Sequence, residues 1–257
     1  MILGVDIGNT TIHFGVIQKQ RIGWQLRTAT HQKRSALRRD IQSSVQKITQ
    51  RFPELREVII CSVVPQALGE LETILRGRRQ LKVAVVGKDI KVPLINRYAK
   101  PRQVGQDRLV GAFAAQHDYG CPVIVVDLGT AITIDVVSRN QEYLGGIIVP
   151  GLQLSTDTLF QKAALLPKVA IKKPKALIGK DTEGSILSGI FFGYGEMIKG
   201  MVRLMKQEVP GKAKVVITGG HTDLMKSYLA KSYDQIDPDL VLKGLGLLAG
   251  QAMVRPR

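Results

Sequence analysis

The sequence predicts a layered α/β protein whose two halves open in the same way, and three observations carry that reading. An apolar run ending in Asp-x-Gly occurs twice, as Ile2-Leu3-Gly4-Val5-Asp6-Ile7-Gly8-Asn9-Thr10 and as Val123-Ile124-Val125-Val126-Asp127-Leu128-Gly129-Thr130-Ala131, so that Asp127 stands 121 positions after Asp6. Each copy is followed by another short apolar stretch. Each half then alternates helix-period with strand-period patterns, as helices packed on sheets require. With 257 residues, 44% of them apolar, the chain is long enough for one large domain or two compact ones.

Taken in order, the first half reads as a strand into Asp6, a turn, a strand over Thr11 to Ile17, and a third strand near Trp24 to Arg27. Leu37, Ile41, Val45 and Ile48 follow at spacings of four, four and three, which puts them on one face of an amphipathic helix. Strands over Glu57 to Val64 and Leu81 to Val86 flank a helix around Ala67 to Leu75. A basic, Pro-containing loop from Lys91 to Gln106 leads into a helix starting near Asp107. The second half repeats the opening with a strand over Pro122 to Val126, the Asp127 turn and the alternating Ile132-Thr133-Ile134-Asp135-Val136. Gly145-Gly146 and Pro150-Gly151 read as turns. Helices are expected over Leu154 to Leu165 and Gly184 to Gln207, a strand over Lys214 to Thr218 ending in Gly219-Gly220, and a closing helix from Leu240. Outside the two Asp turns, self-similarity between the halves is slight.

Composition narrows the class. No apolar run approaches the roughly 18 residues needed to cross a bilayer, and Met1 leads straight into a strand rather than a leader peptide, so no membrane association and a cytoplasmic location are expected. Cys61 and Cys121 lie in or beside apolar strand-like segments without metal-ligand spacing and read as buried thiols in a reducing compartment. The 37 Lys and Arg against 21 Asp and Glu give a net charge of +16, which invites a nucleic-acid reading. The basic residues are scattered, however, through Lys33-Arg34, Arg38-Arg39, Arg76 to Arg79, Lys172-Lys173 and the tail. With six Phe, one Trp and no helix-turn-helix, RNA-recognition or zinc signature, solvated surface charge that attracts small anions explains them better. No nucleic-acid partner is expected.

The Asp-x-Gly turns suit phosphate chemistry. Glycine lets backbone N–H groups approach phosphoryl oxygens, threonine adds a hydroxyl donor, and the aspartate can hold a cation. A single copy reads more readily as an ordinary β-hairpin; two copies, each opening one half, reverse that and favour the phosphate reading. Other nucleotide signatures fail. Gly179-Lys180-Asp181-Thr182 lacks the glycine frame and preceding strand of a P-loop. Gly244-Leu245-Gly246 with Gly250 has no room for a dinucleotide-binding βαβ unit and reads as close helix packing. His13, His31, His117 and His221 share no spacing or motif and read as structural or surface residues.

One ordered set of segments remains: Asp6-Ile7-Gly8-Asn9-Thr10, Tyr98 to Pro101, Gly105-Gln106-Asp107-Arg108, Asp127-Leu128-Gly129-Thr130-Ala131, Gly145-Gly146 with Pro150-Gly151, Ile178 to Thr182, and Asp239 to Leu245. Together they resemble the type III pantothenate kinases across nearly the whole chain. The resemblance implies an actin-like, sugar-kinase-type fold of two ribonuclease-H-like domains with mixed sheets, here divided as 1–118 and 119–257, and ATP bound in the cleft between them. It implies ATP-dependent conversion of pantothenate to 4'-phosphopantothenate, the first step of coenzyme A biosynthesis, by a homodimer. Asp6, Ile7, Gly8, Asn9, Thr10, Thr11, Ile12 and His13 would form the first phosphate loop, with Asp6 near Mg²⁺. Thr130 would contact phosphate from the second loop, Asp127 would help hold K⁺ or NH₄⁺, and Gly219-Gly220 would leave space for adenosine. Pantothenate would lie against Tyr98 and Gly105, Gln106, Asp107 and Arg108, with Thr182 reaching in from the facing subunit.

Residue chemistry agrees with parts of this. The planar fork of Arg108 can bind a carboxylate through two charge-assisted bonds, and pantothenate carries one; a surface or helix-start arginine is the plainer alternative. Asp107 is the implied general base and equally a good helix N-cap. The chain departs from the family at Gln106, where Ala is usual, and at Asp181, where Asn is usual; the larger polar Gln106 puts the substrate pocket in question. Two rival functions remain at this level: a non-catalytic regulator of the accessory-factor type, which loss of an Asp107-type base would favour, and a basic nucleic-acid-binding protein.

Overall fold

A computed structural model describes residues 1–31, 33–78 and 80–252, with side chains described through 249. The basic positions Arg79, Arg255 and Arg257 lie outside the described residues. The chain divides into two compact units, the first comprising Met1–Leu94, Arg102–Ala114 and Leu240 onward, the second Ile95–Pro101 and Ala115–Asp239.

The first unit is built on a five-stranded sheet. Its strands are β1 (Ile2–Ile7), β2 (Thr11–Gln18), β3 (Arg21–Ala29), β4 (Glu57–Ser62) and β5 (Lys82–Val85), in the order β3-β2-β1-β4-β5. β1, β2 and β3 form an antiparallel meander, while β4 and β5 continue from β1 in parallel. Because β1 is central and covered on both faces, it is apolar up to Asp6, the first residue that is polar and only half-buried. On one face pack α1 (Arg34–Arg51) and α2 (Pro65–Arg76). Leu37, Ile41, Val45 and Ile48 of α1 are all buried, as their spacing predicts. The other face receives α3 (Gln106–Tyr119), whose Val110 and Phe113 share a core with Ile59, Cys61 and Val86.

The second unit repeats this plan. Its strands are β6 (Ile95–Asn96), β7 (Val123–Leu128), β8 (Ala131–Val137), β9 (Glu142–Pro150), β10 (Lys214–Thr218) and β11 (Gln235–Ile236), in the order β11-β10-β7-β8-β9-β6. Within it, β9-β8-β7-β10-β11 reproduces β3-β2-β1-β4-β5 in order and in strand direction. The two motif aspartates occupy equivalent positions. Asp6 pairs with His13 on the antiparallel side and Cys61 on the parallel side, and Asp127 pairs with Thr133 and Thr218 in the same manner. The helices are α4 (Leu152–Lys162), α5 (Thr182–Glu208) and the short α6 (Thr222–Met225); α5 buries Leu187, Phe191, Ile198 and Val202 against the strands.

The chain then returns to the first unit as α7 (Leu240–Ala252), which packs on β1. Gly244 and Gly246 do allow close packing: a Cβ at Gly244 would lie 2.6 Å from Val110, and one at Gly246 3.1 Å from Ile17. The sequence reading gives this helix to the second half and divides the chain at 118/119, whereas the contacts put the helix with the first unit and the change of unit within α3, after Ala114.

Three smaller expectations are corrected. Gly145-Gly146 is not a turn but lies inside β9, where a Cβ on Gly146 would fall 2.0 Å from the Ile134 carbonyl across the ladder. β3 extends over nine residues, beyond the expected Trp24 to Arg27, because it alternates exposed and half-buried positions and so carries polar residues throughout. Cys121 is only partly buried, unlike Cys61. Among the described residues, no helix is long and apolar enough to cross a membrane.

Asp181 has a local reason to be acidic. It is the N-cap of α5, and its carboxylate accepts the Gly184 N–H at 2.6 Å. Asp181→Ala is therefore expected to lower stability by about 1 kcal/mol in urea melts and Asp181→Asn by much less; equal losses would show that the cap is not the cause. Burial also separates the two thiols: under native conditions a thiol reagent should label Cys121 readily and Cys61 only on unfolding, and equal native labelling rates would contradict the packing described.

Candidate active site

The first Asp-x-Gly turn is shorter than the expected eight-residue loop. Asp6 and Ile7 end β1, Gly8-Asn9-Thr10 make the turn, and Thr11 opens β2, with the Gly8 N–H donating to the Thr11 carbonyl at 3.0 Å. The Ile7 and Ile12 side chains are fully buried in the core, so only their backbones could serve a ligand. His13 faces β3, its Nε2 2.8 Å from Gln25 Oε1. Asn9 and Thr10 are exposed. Thr30, just beyond β3, holds the turn from outside: its N–H donates to the Thr10 carbonyl at 2.9 Å and its Oγ1 to the Gly8 carbonyl at 2.8 Å.

Asp107 stands in the first turn of α3. It is the second residue of the helix and so lies past the N-cap position, and its Oδ1 accepts the Arg108 N–H at 2.8 Å. The carboxylate curls back over Gly105, where a Cβ would lie 2.4 Å from Oδ1. Arg108 is half-buried beside it. Gln106 turns toward Gly87, so that a Cβ there would come within 2.8 Å of the Gln106 amide carbon; Gly87 also has φ +86, which side-chain-bearing residues rarely adopt.

Asp6 and Asp107, 101 residues apart in sequence, both act electrostatically on Cys61. The thiol lies beside Asp6 in the parallel register and is pushed well above its ordinary pKa, first by burial and then by the negative charges of Asp6 and Asp107.

In the second unit, Asp127 ends β7 beside Thr218 of β10, and Gly129-Thr130 turns into β8 with the Gly129 N–H donating to the Ala131 carbonyl at 3.2 Å. Gly219 approaches this loop closely. Its φ is +96, and a Cβ would lie 2.4 Å from Asp127 Oδ1 and 2.6 Å from the Leu128 backbone, so no side chain fits. Gly220, by contrast, faces open space. The Gly-Gly pair therefore divides its work: the first glycine packs on the second loop, and only the second leaves room for a ligand.

Two further residues hold this loop. The Gly151 N–H donates to the Thr130 carbonyl at 3.0 Å, and the His221 N–H donates to the Leu128 carbonyl at 3.0 Å. The His221 ring lies near the Gly129 backbone, and its Nδ1 is buried without a partner among the described residues. Burial lowers the His221 pKa, outweighing the opposite pull of the Gly129 backbone, so the ring is neutral at neutral pH.

Tyr98 and Thr182 also fall in the second unit. The Tyr98 ring lies over Gly145, 3.2 Å from where a Cβ would stand, and its N–H donates to Asn96 Oδ1 at 2.9 Å. Thr182 is exposed at the first turn of α5. The structure thus groups Asp6 with Asp107 and Arg108 in one unit, and Asp127 with Thr130 and Gly219 in the other. Sequence reasoning reads His221 as a structural or surface residue and misses Thr30, Gly151 and His221 as loop-holding residues; the place of His221 directly after Gly219-Gly220 is the one available signal.

The carboxylates suit hard cations. Among the described residues no three His, Cys, Asp or Glu side chains converge to hold a metal ion, so an ion at Asp6 would complete its shell with phosphate oxygens and water, the usual arrangement for Mg²⁺.

Comparison with known proteins agrees with this arrangement. Among solved structures, the fold matches a candidate 2-dehydro-3-deoxygalactonokinase from Sinorhizobium meliloti, at TM-score 0.57 and 12% identity over 99% of this chain and 100% of the other. It also matches component A of the (R)-2-hydroxyglutaryl-CoA dehydratase of Acidaminococcus fermentans, at TM-score 0.54 and 14% identity over 96% and 95%. At such identities these matches show the fold alone, the mixed-sheet α/β fold expected from the sequence. A type III pantothenate kinase of Halalkalibacterium halodurans is 36% identical over 250 residues, covering 96% of this chain and 98% of that protein. The sequence profile of the type III pantothenate kinases matches residues 2–204, and with that relative the match shows that the chain belongs to the type III pantothenate kinase family.

Proposed function

We propose that this chain transfers the γ-phosphoryl group of ATP to the primary hydroxyl of pantothenate, giving 4'-phosphopantothenate and ADP at the start of coenzyme A biosynthesis, with Asp107 as the general base. Family membership supports the reaction. The observation that supports the base is a chain of contacts from Asp107 to the end of β1: the Asp107 carboxylate lies over Gly105, a Cβ at Gly105 would stand 3.7 Å from Val63, and the Val63 N–H donates to the Ile7 carbonyl at 3.1 Å.

In this reading Asp107 takes the hydroxyl proton as the pantothenate oxygen bonds the γ-phosphorus. The bond from that phosphorus to its bridging oxygen breaks, and ADP leaves with the electron pair. Arg108 holds the pantothenate carboxylate and Tyr98 flanks the substrate. The backbone N–H groups of Asn9 and Thr130 and the Thr10 and Thr130 hydroxyls take phosphoryl oxygens, as turns of this kind do. Asp6 would hold Mg²⁺ and Asp127 K⁺ or NH₄⁺, ions that would supply charge neutralisation on the phosphates. Adenosine lies on the Gly220 side, where there is space.

A homodimer is part of the proposal. A Cβ added at Gly189, Gly193 or Gly200 on α5 would meet nothing within 4 Å, so these small residues serve no packing within the chain. The second unit also exposes Leu154, Phe160, Leu165, Leu177 and Ile178. An apolar surface of this kind beside a small-residue helix fits a second copy of the chain, with Thr182 contributing across it.

Asp107→Asn keeps the side-chain volume and should change stability by less than about 1 kcal/mol. In steady-state assays kcat should fall by roughly 10²- to 10⁴-fold while ATP still binds; a folded variant retaining more than about a tenth of the wild-type kcat would rule out the base. If Asp127 serves a monovalent cation, activity in K⁺ or NH₄⁺ buffer should fall sharply in Na⁺ alone, since oxygen sites discriminate by cavity size and ligand number. Equal rates in K⁺ and Na⁺ would remove that role from Asp127.

A further inference from the structure

The first phosphate turn is held by a residue outside its motif. The Gly8 carbonyl accepts the Thr30 Oγ1 hydroxyl at 2.8 Å, and the Thr10 carbonyl accepts the Thr30 N–H at 2.9 Å. A trans peptide is planar, so its C=O and the following N–H point in opposite directions. Fixing the Gly8 carbonyl therefore fixes the N–H of Asn9, which points away from the brace.

We propose that Thr30 is a positioning residue for ATP, bracing the first phosphate turn through the Gly8 carbonyl so that the Asn9 N–H is already aimed at a phosphoryl oxygen. The turn left to itself would sample other peptide orientations, and ordering it would weaken ATP binding. Thr30 bonds no residue assigned to pantothenate, so its loss should affect the nucleotide selectively. The inference rests on the reading that this turn binds ATP phosphate.

The test is steady-state kinetics with ATP and pantothenate varied separately. Thr30→Val removes the hydroxyl but keeps the shape and the backbone bond, and Thr30→Ser restores the donor. Thr30→Val should raise the KM for ATP about tenfold, as for loss of one hydrogen bond, and leave the KM for pantothenate within about twofold. Thr30→Ser should recover most of the loss. Thr10→Ala serves as the reference for the turn itself. If Thr10→Ala weakens ATP binding while Thr30→Val does not, the brace is refuted and the phosphate turn survives. If Thr10→Ala has no effect on ATP, the reading of the turn falls and the proposal with it. If both KM values rise together and Thr30→Ser rescues nothing, Thr30 is merely structural and the proposal is overturned. Should Thr30→Val melt below the assay temperature, Thr30→Ala carries the same comparison.

Discussion

The rest of the structure depends on one constraint: the strand that carries each motif aspartate is hydrogen-bonded on both edges and covered on both faces. β1 and β7 each have an antiparallel neighbour on one side and a parallel one on the other, so their registers are fixed twice over. Such a strand is apolar along its length because every side chain enters a core. The aspartate appears where coverage ends. Its position is therefore set by two ladders rather than by a flexible loop, which is how a short turn can present a carboxylate and backbone N–H groups with little freedom.

The same constraint explains why close approach recurs around these turns. Once β10 is in register with β7, Gly219 is brought against Asp127 and Leu128, and a methyl group there would overlap both. In the first unit, the strand neighbour of the motif aspartate is Cys61, and there the solution is electrostatic. A negatively charged residue at position 61 would repel both Asp6 and Asp107, and a positively charged one would attract both. A buried thiol held in its neutral form does neither.

Much of this is legible in the sequence, for a physical reason. Central strands and the core face of α1 announce themselves because burial imposes a periodic pattern, and the repeated Asp-x-Gly stands out because it interrupts an apolar run in the same manner twice. The hidden features are those whose determinants lie far away in sequence. β6 and β11 are two residues each, too short to show alternation. α7 reads as a helix, but nothing in its own residues states that it packs on β1 rather than on the strand that precedes it. Gly145-Gly146 looks like a turn until the Ile134 carbonyl and the Tyr98 ring are placed against it. Thr30 is an unremarked polar residue at a strand end, and only the meander brings it to Gly8 and Thr10.

The two departures from the family pattern show how such distant determinants matter. Read as sequence, Gln106 adds a polar amide to the substrate loop and Asp181 adds a charge beside Thr182. In the fold, each is engaged by a neighbour. Asp181 caps α5 through its carboxylate, a task for which aspartate and asparagine are nearly equivalent. Gln106 turns onto Gly87, where the absence of a side chain makes room for it. The larger residue at 106 is thus accommodated by a glycine 19 positions earlier in the chain, not by enlarging the neighbourhood of Asp107. A side chain at 87 would overlap the Gln106 amide and would also have to adopt a φ of +86, so positions 87 and 106 constrain each other in the loop and helix that lead to Asp107.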